Sequence, residues 1–386
     1  MSKSPFYNVK IRKSGRDITN YISKFSYEDC SDQDDLLKIS ITDITTELVD
    51  DGDLVEGTEL LVQWGYYGYK ITTPRICEIR EIRTKYARTI DLELTALDKG
   101  NQMKINGYSR IWKNQTASQI IESIVKKYNL NLVSTPTKKV FKSLPQGNRT
   151  DFDFIKYLTT LENGYIFYIR DYDAYFEKRK IGDKSVATYT YRSPETDSKV
   201  IEFIPTERSK SKEKAGQKAT SANIDPLTKQ PFKSETTPET QSGGVFVGNA
   251  LGKLTEVVSD RSVGKNILSP VRSKAEADNL TNKANKESNL NEITATLLIE
   301  GDTMARANTV VTIKNVAKRH LGNWYVKKAI HSISKGGGYT TSFELNRNTS
   351  KTGTVNKTVG KDAKSDDSSS GTKKVFVFNQ NGQRVK

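Results

Sequence analysis

Histidine and cysteine, the residue types most often found at metal sites, are scarce in this chain. His320 and His331 are the two histidines, and neither belongs to a Cys/His cluster with the spacing of a zinc site. Cys30 and Cys77 are the two cysteines, too few for a disulfide-stapled scaffold, so we expect reduced and partly buried thiols. These residues predict no metal and no cofactor.

Acidic residues are the next candidates for chemistry. The acid-rich stretches 29–35 and 50–53 suggest calcium, but neither has the ligand alternation and closing Glu of an EF-hand loop, and both fall at strand ends where solvated turns are common. Cleavage of a glycan would need two carboxylates across a cleft. Glu122 and Glu162 lie on predicted helices whose opposite faces are apolar, which favours solvent-facing charge. Gly336–Gly338 lacks the Lys-Ser/Thr of a phosphate loop. The sequence therefore predicts no catalytic residue and no enzyme.

The charge balance raises the possibility of a nucleic acid partner. The 386 residues include 61 Lys and Arg against 46 Asp and Glu, a formal net charge of +15, which suits an acidic partner. The basic residues are spread along the chain, however, and become dense in two linker-like stretches, 208–218 and 357–374, without a groove-reading motif. We expect no specific nucleic acid partner and keep a basic nucleic-acid-binding protein as an alternative.

Membrane and export signals are missing from the sequence pattern. No stretch approaches the roughly 18 consecutive apolar residues that a membrane-spanning helix needs. Met1–Tyr7 lacks the apolar core of a signal peptide. We expect no stable membrane insertion, and a protein that is made in the cytoplasm and kept there until assembly.

The N-terminal quarter of the chain has the period of β-structure. Between Tyr7 and Leu97 apolar and polar residues mostly alternate, and glycines punctuate the alternation as turns. Several short strands with evenly spaced turns predict a small β-barrel or sandwich. The clearest predicted strands are Ser40–Asp43, Glu59–Trp64, Arg75–Arg83 and Thr89–Ala96.

The pattern changes after Trp112 to that of a compact α+β unit. Thr116 and Gln119 form a capping box in front of an apolar helical face. A second helix begins at Thr150 or Asp151 and ends at Asn163-Gly164, where glycine tolerates the left-handed conformation. A hairpin with aromatic faces follows over 165–178.

The C-terminal half alternates between β-rich and low-complexity stretches. Strands are predicted over 187–191 and 199–204, and a β-rich block extends from Ile293 to Leu345. Between them, 206–245 is nearly empty of large apolar residues and cannot offset its ordering entropy alone. A capped helix is predicted from Ser273.

A short β-prone segment follows the low-complexity linker 349–373. Exposed apolar residues at the end of a flexible tether invite aggregation unless another strand pairs with them. We therefore predict a partner-binding strand that acts by strand addition, while pairing with the chain's own sheet stays open. The residues are Val375, Phe376, Val377 and Phe378.

Three blocks of sequence resemble the phage late control D protein family, the tail baseplate hub family that includes the N-terminal hub part of VgrG proteins. The second is the most specific: a Gln/Asn strand, a Ser/Thr-Asp helix start and a Gly-aromatic strand. In this chain the blocks are Gly15–Ile22 continuing to Gly57–Tyr66, then Gln146–Ile155 with Gly164–Phe167, and Gly322–Val326 with His331 and Gly338–Thr341. The insertion 206–245 and the tail after Asn348 have no counterpart.

The resemblance implies a mainly β fold with an α+β insert, built on two small tube-type β-barrels. The implied domains are a first barrel over 1–104, an α+β domain over 105–185, and a second barrel made from 186–205 and 290–346. An insertion with a flexible segment and a helix occupies 206–289, and a linker with the terminal β segment occupies 347–386.

The implied function is that of a structural hub in a contractile or phage-tail-like injection machine, part of a virion tail or tail-like particle. It would join the inner tube to the central spike as a homotrimeric ring. The implied partners are a second and third copy of the chain, the spike protein, the inner tube or tube-initiator protein and other baseplate subunits. No spike β-helix is appended here, so the spike would be a separate protein docked by Val375–Phe378.

One further alternative rests on the aromatic residues of 165–176. Such residues suit a cell-wall or carbohydrate-binding module, or a muralytic tail component. Their alternation along the predicted hairpin is what core-facing positions would show, and a glycan-binding assay would separate the two interpretations.

Overall fold

The computed structural model describes most of the chain. The described residues are 4–43, 46–50, 52–162, 164–192, 199–207, 219–224, 229, 231–236, 265–266, 274, 277–278, 281, 293–317, 320–347, 377–378 and 384–385. The chain divides into two compact units, Met1–Val355 and Asn356–Lys386.

Strands make up most of the described structure, which confirms the predicted mainly β fold class. The N-terminal part contains β1 (Pro5–Ile11), β2 (Ile22–Cys30), β3 (Leu36–Asp43), α1 (Glu47–Asp50), β4 (Glu59–Tyr66), β5 (Lys70–Ile71), β6 (Arg75–Tyr86) and β7 (Ile90–Leu97). The middle contains β8 (Gly107–Tyr108), β9 (Ile111–Thr116), α2 (Ala117–Val125), β10 (Asn131–Ser134), β11 (Val140–Pro145), β12 (Arg149–Thr150), α3 (Asp151–Leu161), β13 (Tyr165–Arg170) and β14 (Asp173–Lys178).

The remaining elements follow in the C-terminal half. They are β15 (Ala187–Thr190), β16 (Val200–Glu207), β17 (Ala219–Ile224), β18 (Pro231–Thr236), β19 (Lys265–Asn266), β20 (Ile293–Glu300), β21 (Thr309–Lys314), β22 (Gly322–Ser334), β23 (Gly338–Arg347), β24 (Val377–Phe378) and β25 (Arg384–Val385).

Thirteen of the described strands form one sheet. Its main path is β1-β4-β6-β7-β3-β2-β22-β23-β20-β16, with β21 and β15 branching from β22, and β5 from β4. With β21 and β15 included and β5 left aside, the sheet has two halves of six strands each, which meet where β2 pairs with β22. The first half is β1-β4-β6-β7-β3-β2, and the second is β15-β21-β22-β23-β20-β16.

Each half surrounds an apolar core of its own. In the first half, alternation places Ile39, Leu92 and Leu94 inside. Tyr7 on β1 stacks on Phe25 on β2 at 5.7 Å, so the first and last strands of this half meet and the half closes around its core. The second core is built around Trp324, Phe343, Leu297, Ile299 and Leu345. Strands from both ends of this half reach it, since Tyr189 contacts Phe343 and Phe203 contacts Trp324.

An α+β body lies between the two halves in the chain. The capping box at α2 is present: Thr116 accepts from the Gln119 amide, and the Gln119 side chain accepts from the Thr116 amide. At α3 the Thr150 hydroxyl accepts from the Asp153 amide. Both helices pack on a three-stranded sheet in the order β10-β14-β13, around a core that includes Ile120, Phe154 and Phe176.

The insertion contains strands that the sequence does not predict. β17 pairs antiparallel with β18 and parallel with β19. These strands are rich in Thr, Ser and Lys, so their composition resembles that of a linker and gives no alternating apolar signal. Helical residues at 274, 277–278 and 281 fall in the helix predicted from Ser273. The predicted domain boundaries stay a prediction.

Candidate functional site

The ladder between β2 and β22 joins the two halves of the large sheet. It is antiparallel and extends from the pair Lys24↔Ser334 to the pair Cys30↔Lys328. Phe25 faces Ile333 within it, and both side chains are buried. Burying two large apolar side chains across such a pair contributes roughly 2–3 kcal/mol each. The halves are therefore held by backbone hydrogen bonds and by shared apolar core.

An ion pair next to this ladder attaches the α+β body. Arg170, at the end of β13, donates from Nη2 to Asp29 Oδ1 at 3.4 Å and to the carbonyl of Ala307 at 3.1 Å. One guanidinium thus contacts the first half, the α+β body and the second half. Desolvation disfavours the charged guanidinium, but Asp29 together with Tyr168 and Asp35 outweighs it, and the pKa of Arg170 is raised. The guanidinium of Arg170 therefore stays protonated in this joint.

A second ion pair reinforces the contact between the first half and the α+β body. Arg75 on β6 is buried and donates to Asp171 Oδ2 at 3.2 Å. The other Asp171 oxygen accepts from the Ile76 amide at 3.3 Å. Asp171 lies in the β13–β14 turn with a φ of 56°, in the left-handed region. The turn is thus fixed by contacts to β6, and burial raises the pKa of Asp171.

Two neighbouring carboxyl groups are buried beside the Arg170 joint. Asp35 accepts from the Tyr27 hydroxyl at 2.7 Å and from the Cys30 amide at 2.9 Å. Its own amide donates to Asp98 at 2.9 Å, and Asp98 also accepts from the Gly100 amide at 2.7 Å. Burial, with Asp29 nearby, raises the pKa of Asp35 to about 7. Burial also raises the pKa of Asp98. Asp29 and Asp35 of the acid-rich stretch 29–35 are therefore buried, whereas the sequence predicts a solvated turn there.

His331 lies in the core at the joint of the halves. Its Nδ1 is 2.8 Å from the Tyr339 hydroxyl and 3.2 Å from the Thr341 hydroxyl, and its ring is 5.2 Å from that of Trp64. Burial lowers the pKa of His331 to about 4. His320 lies at the start of the β22 hairpin, where its carbonyl accepts from Trp324 Nε1 at 3.0 Å. The two histidines have separate environments.

The Gln146–Asp151 motif, the most specific part of the family resemblance, builds the interior of the α+β body. Asp151 is fully buried and accepts from Gln146 Nε2 at 2.7 Å and from the Tyr128 hydroxyl at 2.9 Å. Arg110 donates to both of its oxygens, at 3.2 and 3.4 Å. This carboxylate therefore links the start of α3 to Arg110 just before β9, to Tyr128 shortly after α2, and to Gln146 just after β11.

The candidate catalytic carboxylates have different surroundings. Glu122 pairs with Lys126 at 2.7 Å on the exposed face of α2. Glu162 follows α3, where burial raises its pKa. Across the residues that the structure covers, no group of three or more His, Cys, Asp or Glu side chains is placed to hold a metal ion. None of the described helices is both long and apolar enough to span a membrane.

The predicted docking segment is covered only in part. Val375 and Phe376 lie outside the described residues. Val377–Phe378 forms β24, which pairs antiparallel with β25 in the register Val377↔Val385 and Phe378↔Arg384. The described half of the segment thus pairs with a strand of its own chain, and the docking role stays a prediction.

The fold defined by these joints is that of phage tail proteins, which confirms the predicted resemblance at the level of fold. The 43 kDa tail protein of prophage MuSo2 from Shewanella oneidensis matches with a TM-score of 0.68 at 12% identity, over 90% of this chain and 99% of that one. A tail protein from Neisseria meningitidis MC58 matches with a TM-score of 0.66 at 10% identity, over 89% and 97%. The Francisella PdpA–VgrG complex contains a chain with a TM-score of 0.56 at 10% identity, over 90% of this chain and 53% of that one.

By sequence, residues 36–335 match the family model described as the Alg8 N-terminal domain, and the chain belongs to that family. The match extends from the first residue of β3 to the end of β22, and so includes the α+β body and the insertion. A search of the curated proteins finds no match.

Proposed function

We propose that this protein is the structural hub of a phage-tail-like injection machine, a trimeric ring that joins the inner tube to a central spike, and that it is not an enzyme. The observation that carries the proposal is the large sheet with two halves of six strands in the same order. The similarity of its fold to two tail proteins and to a chain of a PdpA–VgrG complex supports a place in such a machine.

The doubled sheet answers a problem of symmetry. A sixfold tube and a threefold spike cannot bind the same ring through identical contacts. Three copies of a chain with two similar halves present six similar units toward the tube and three identical units toward the spike. The protein therefore needs two halves in one chain, and they must keep a fixed geometry.

The described joints supply that fixed geometry. The β2–β22 ladder makes the halves one sheet. The Asp29–Arg170 and Arg75–Asp171 pairs fix the α+β body against the first half, and the hydrogen bond from Arg170 to the Ala307 carbonyl ties it to the second. A force applied to one part would have to break buried ion pairs, which costs about 3–5 kcal/mol for each partner removed. A rigid body of this kind transmits force during firing.

The C-terminal hairpin is the element that we assign to the spike. Val375–Phe378 combines strong β propensity with low charge at the end of the linker 349–373. Strand addition would use its backbone for affinity and its alternating side chains for specificity. The spike, the inner tube or its initiator, and neighbouring baseplate subunits are the proposed partners.

The mass of the purified chain in solution tests this function. We expect a trimer for the full chain, and a trimer that no longer retains the spike protein for a variant truncated after Asn348. A matched control replaces Lys373 and Lys374 by Ser, which leaves the β segment intact and should keep spike binding. A chain that stays monomeric at all concentrations would contradict the hub.

A further inference from the structure

The two halves of the sheet correspond strand by strand in chain order. The correspondence follows from the order in which the strands pair. In each half, the strand that comes first in the chain lies at one end of the order and the strand that comes second lies at the other. Irregularities in pairing also recur. The corresponding strands are β1 and β15, β2 and β16, β3 and β20, β4 and β21, β6 and β22, and β7 and β23.

The β-bulges strengthen this correspondence. β2 is bulged against β3 at Ser23, and β16 is bulged against β20 at Ile201. β6 is bulged against β7 at Arg80, and β22 is bulged against β23 at Lys327. Bulges are positional features of a fold, so two matching bulges fix which residues correspond. One difference remains, because β1 pairs antiparallel with β4 whereas β15 pairs parallel with β21.

Two equivalent joints between the halves are possible, and one chain forms only one of them. β2 pairs with the second part of β22, on the side that faces away from β23. The equivalent joint for the other half would pair β16 with the second part of β6, on the side away from β7. Over the described parts of the chain, no strand occupies either edge: β16 pairs with β20 alone, and 80–86 of β6 pair with β7 alone.

Both unoccupied edges expose apolar side chains. On β16, Ile201 and Ile204 are 52% and 48% exposed, and on β6 Tyr86 is 69% exposed. A strand edge with β-branched and aromatic residues in water invites pairing with another chain.

We propose that β16 of one copy of this chain pairs antiparallel with residues 82–87, at the end of β6, in a second copy. This interface rests on the proposed function, since it is the contact that would close the ring. Because the contact is heterologous, each copy uses one edge toward each neighbour, and repetition gives a closed ring rather than a pair. Every joint between neighbouring halves would then be the same joint, three within chains and three between them.

The bulges also give the register. Ser23 corresponds to Ile201 and Lys327 corresponds to Arg80, so the pairs of the β2–β22 ladder can be transferred directly. Lys24↔Ser334, Phe25↔Ile333 and Ser26↔Ser332 become Glu202↔Ala87, Phe203↔Tyr86 and Ile204↔Lys85.

The transferred register agrees with the faces of both strands. Phe203 is on the core face of β16, where it contacts Trp324, and Tyr86 has the parity of Ile82, which packs on the first core. Their counterparts Phe25 and Ile333 are 1% and 3% exposed. The exposed ring of Tyr86 would thus gain an aromatic neighbour where the internal joint already has a buried apolar pair.

Charge is complementary across the proposed ladder. β16 carries Glu202, whereas 82–87 carries Arg83 and Lys85 and no acidic residue. In the transferred register Glu202 and Lys85 are diagonal neighbours on one face of the ladder, within reach of a long side chain. Pro205 has no backbone N–H, so the proposed ladder loses at most one hydrogen bond at that position.

Disulfide trapping tests both the contact and its register. The double variant Ile204→Cys/Lys85→Cys places the two thiols on one face of the proposed ladder, at the separation of directly opposed residues. Under mild oxidation we expect the 43.4 kDa band to shift to covalent dimer and trimer, reversed by reductant. The natural Cys30 and Cys77 are buried and stay in place.

The matched control is Ile204→Cys/Lys70→Cys, because Lys70 lies on another exposed edge strand, β5. It should stay at the monomer band, as should each single cysteine variant. A native trimer in which the Ile204/Lys85 pair does not cross-link would overturn the interface and leave the hub standing. A native monomer without cross-links would overturn both, and cross-linking of the control alone would place the contact elsewhere.

Discussion

The buried carboxyl of Asp35 makes a prediction about how stability depends on pH. In the folded chain its pKa is about 7, against an ordinary value of 3.8. The folded state therefore holds a proton that the unfolded chain has already released between pH 4 and pH 7. Stability from this group is fully present below pH 4 and is lost as the pH rises through 7.

The size of the effect follows from the gap between the two pKa values. Each pKa unit corresponds to about 1.4 kcal/mol, so the whole gap is worth roughly 4 kcal/mol. Between pH 5 and pH 7 the unfolded chain has already released this proton, whereas the folded chain still largely holds it. The natural chain should therefore lose about 2–3 kcal/mol of unfolding free energy over this range. The variant Asp35→Asn removes the titration and keeps a carbonyl oxygen for the Cys30 amide that donates to it.

The assay is urea unfolding of the natural chain and of Asp35→Asn at pH 5, 6, 7 and 8. Asp98 titrates in both chains, but Asp35 is one of the groups that raise its pKa, so the difference in unfolding free energy reports Asp35 together with its effect on Asp98. We expect that difference to change in favour of the variant as the pH rises.

His331 provides an internal control, because the stability that it contributes should change with pH in the opposite direction. Its pKa of about 4 lies below the ordinary 6.5, so the folded chain lacks a proton that the unfolded chain gains as the pH falls from 6.5 to 4. The difference between the natural chain and His331→Gln should therefore grow in favour of the variant toward low pH. If the natural chain and Asp35→Asn differ equally at pH 5 and pH 8, the reasoning about the buried carboxyl is refuted.

Three further substitutions test the joints and a helix cap by urea unfolding. Arg170→Met leaves the Asp29 carboxylate buried without its partner and should destabilise by about 3–5 kcal/mol, with part of the loss recovered when Asp29→Asn is added; no recovery would contradict the pairing. Thr116→Ala removes the cap of α2 and should cost about 1 kcal/mol, whereas Gln119→Ala, which removes only the reciprocal bond, should cost less. Phe25→Ala empties the contact between the halves and should cost about 3–5 kcal/mol in one cooperative transition; two separate transitions would show that the halves unfold independently.

Local signals in the sequence predict the helices and many of the strands. The capping box at Thr116 and the cap at Thr150 depend on residues within one turn of a helix, so spacing alone reveals them. The strand over 90–97 is equally predictable from the sequence, because one of its faces packs in the core and the other faces solvent. The fold class and the hairpin over 165–178 follow from the same kind of evidence.

The joints of the molecule are beyond such reasoning. Asp29 and Arg170 are 141 positions apart, and nothing in either neighbourhood indicates that they meet. The bulge at Arg80 reverses which side chains face the core, so an alternation pattern loses its phase there. The pairing of β2 with β22 cannot be predicted without knowing which strand edges the rest of the sheet leaves unpaired.

The connection between β16 and β20 has a consequence for the evolution of this chain. Glu207 and Ile293 are paired neighbours on adjacent strands, so the insertion 208–292 leaves and re-enters the sheet at one point. The cost of bringing its ends together is already met by the ladder and grows only slowly with length. This position can therefore accept, lose or exchange whole modules while the sheet keeps its shape, and it is the natural place at which to graft a foreign domain.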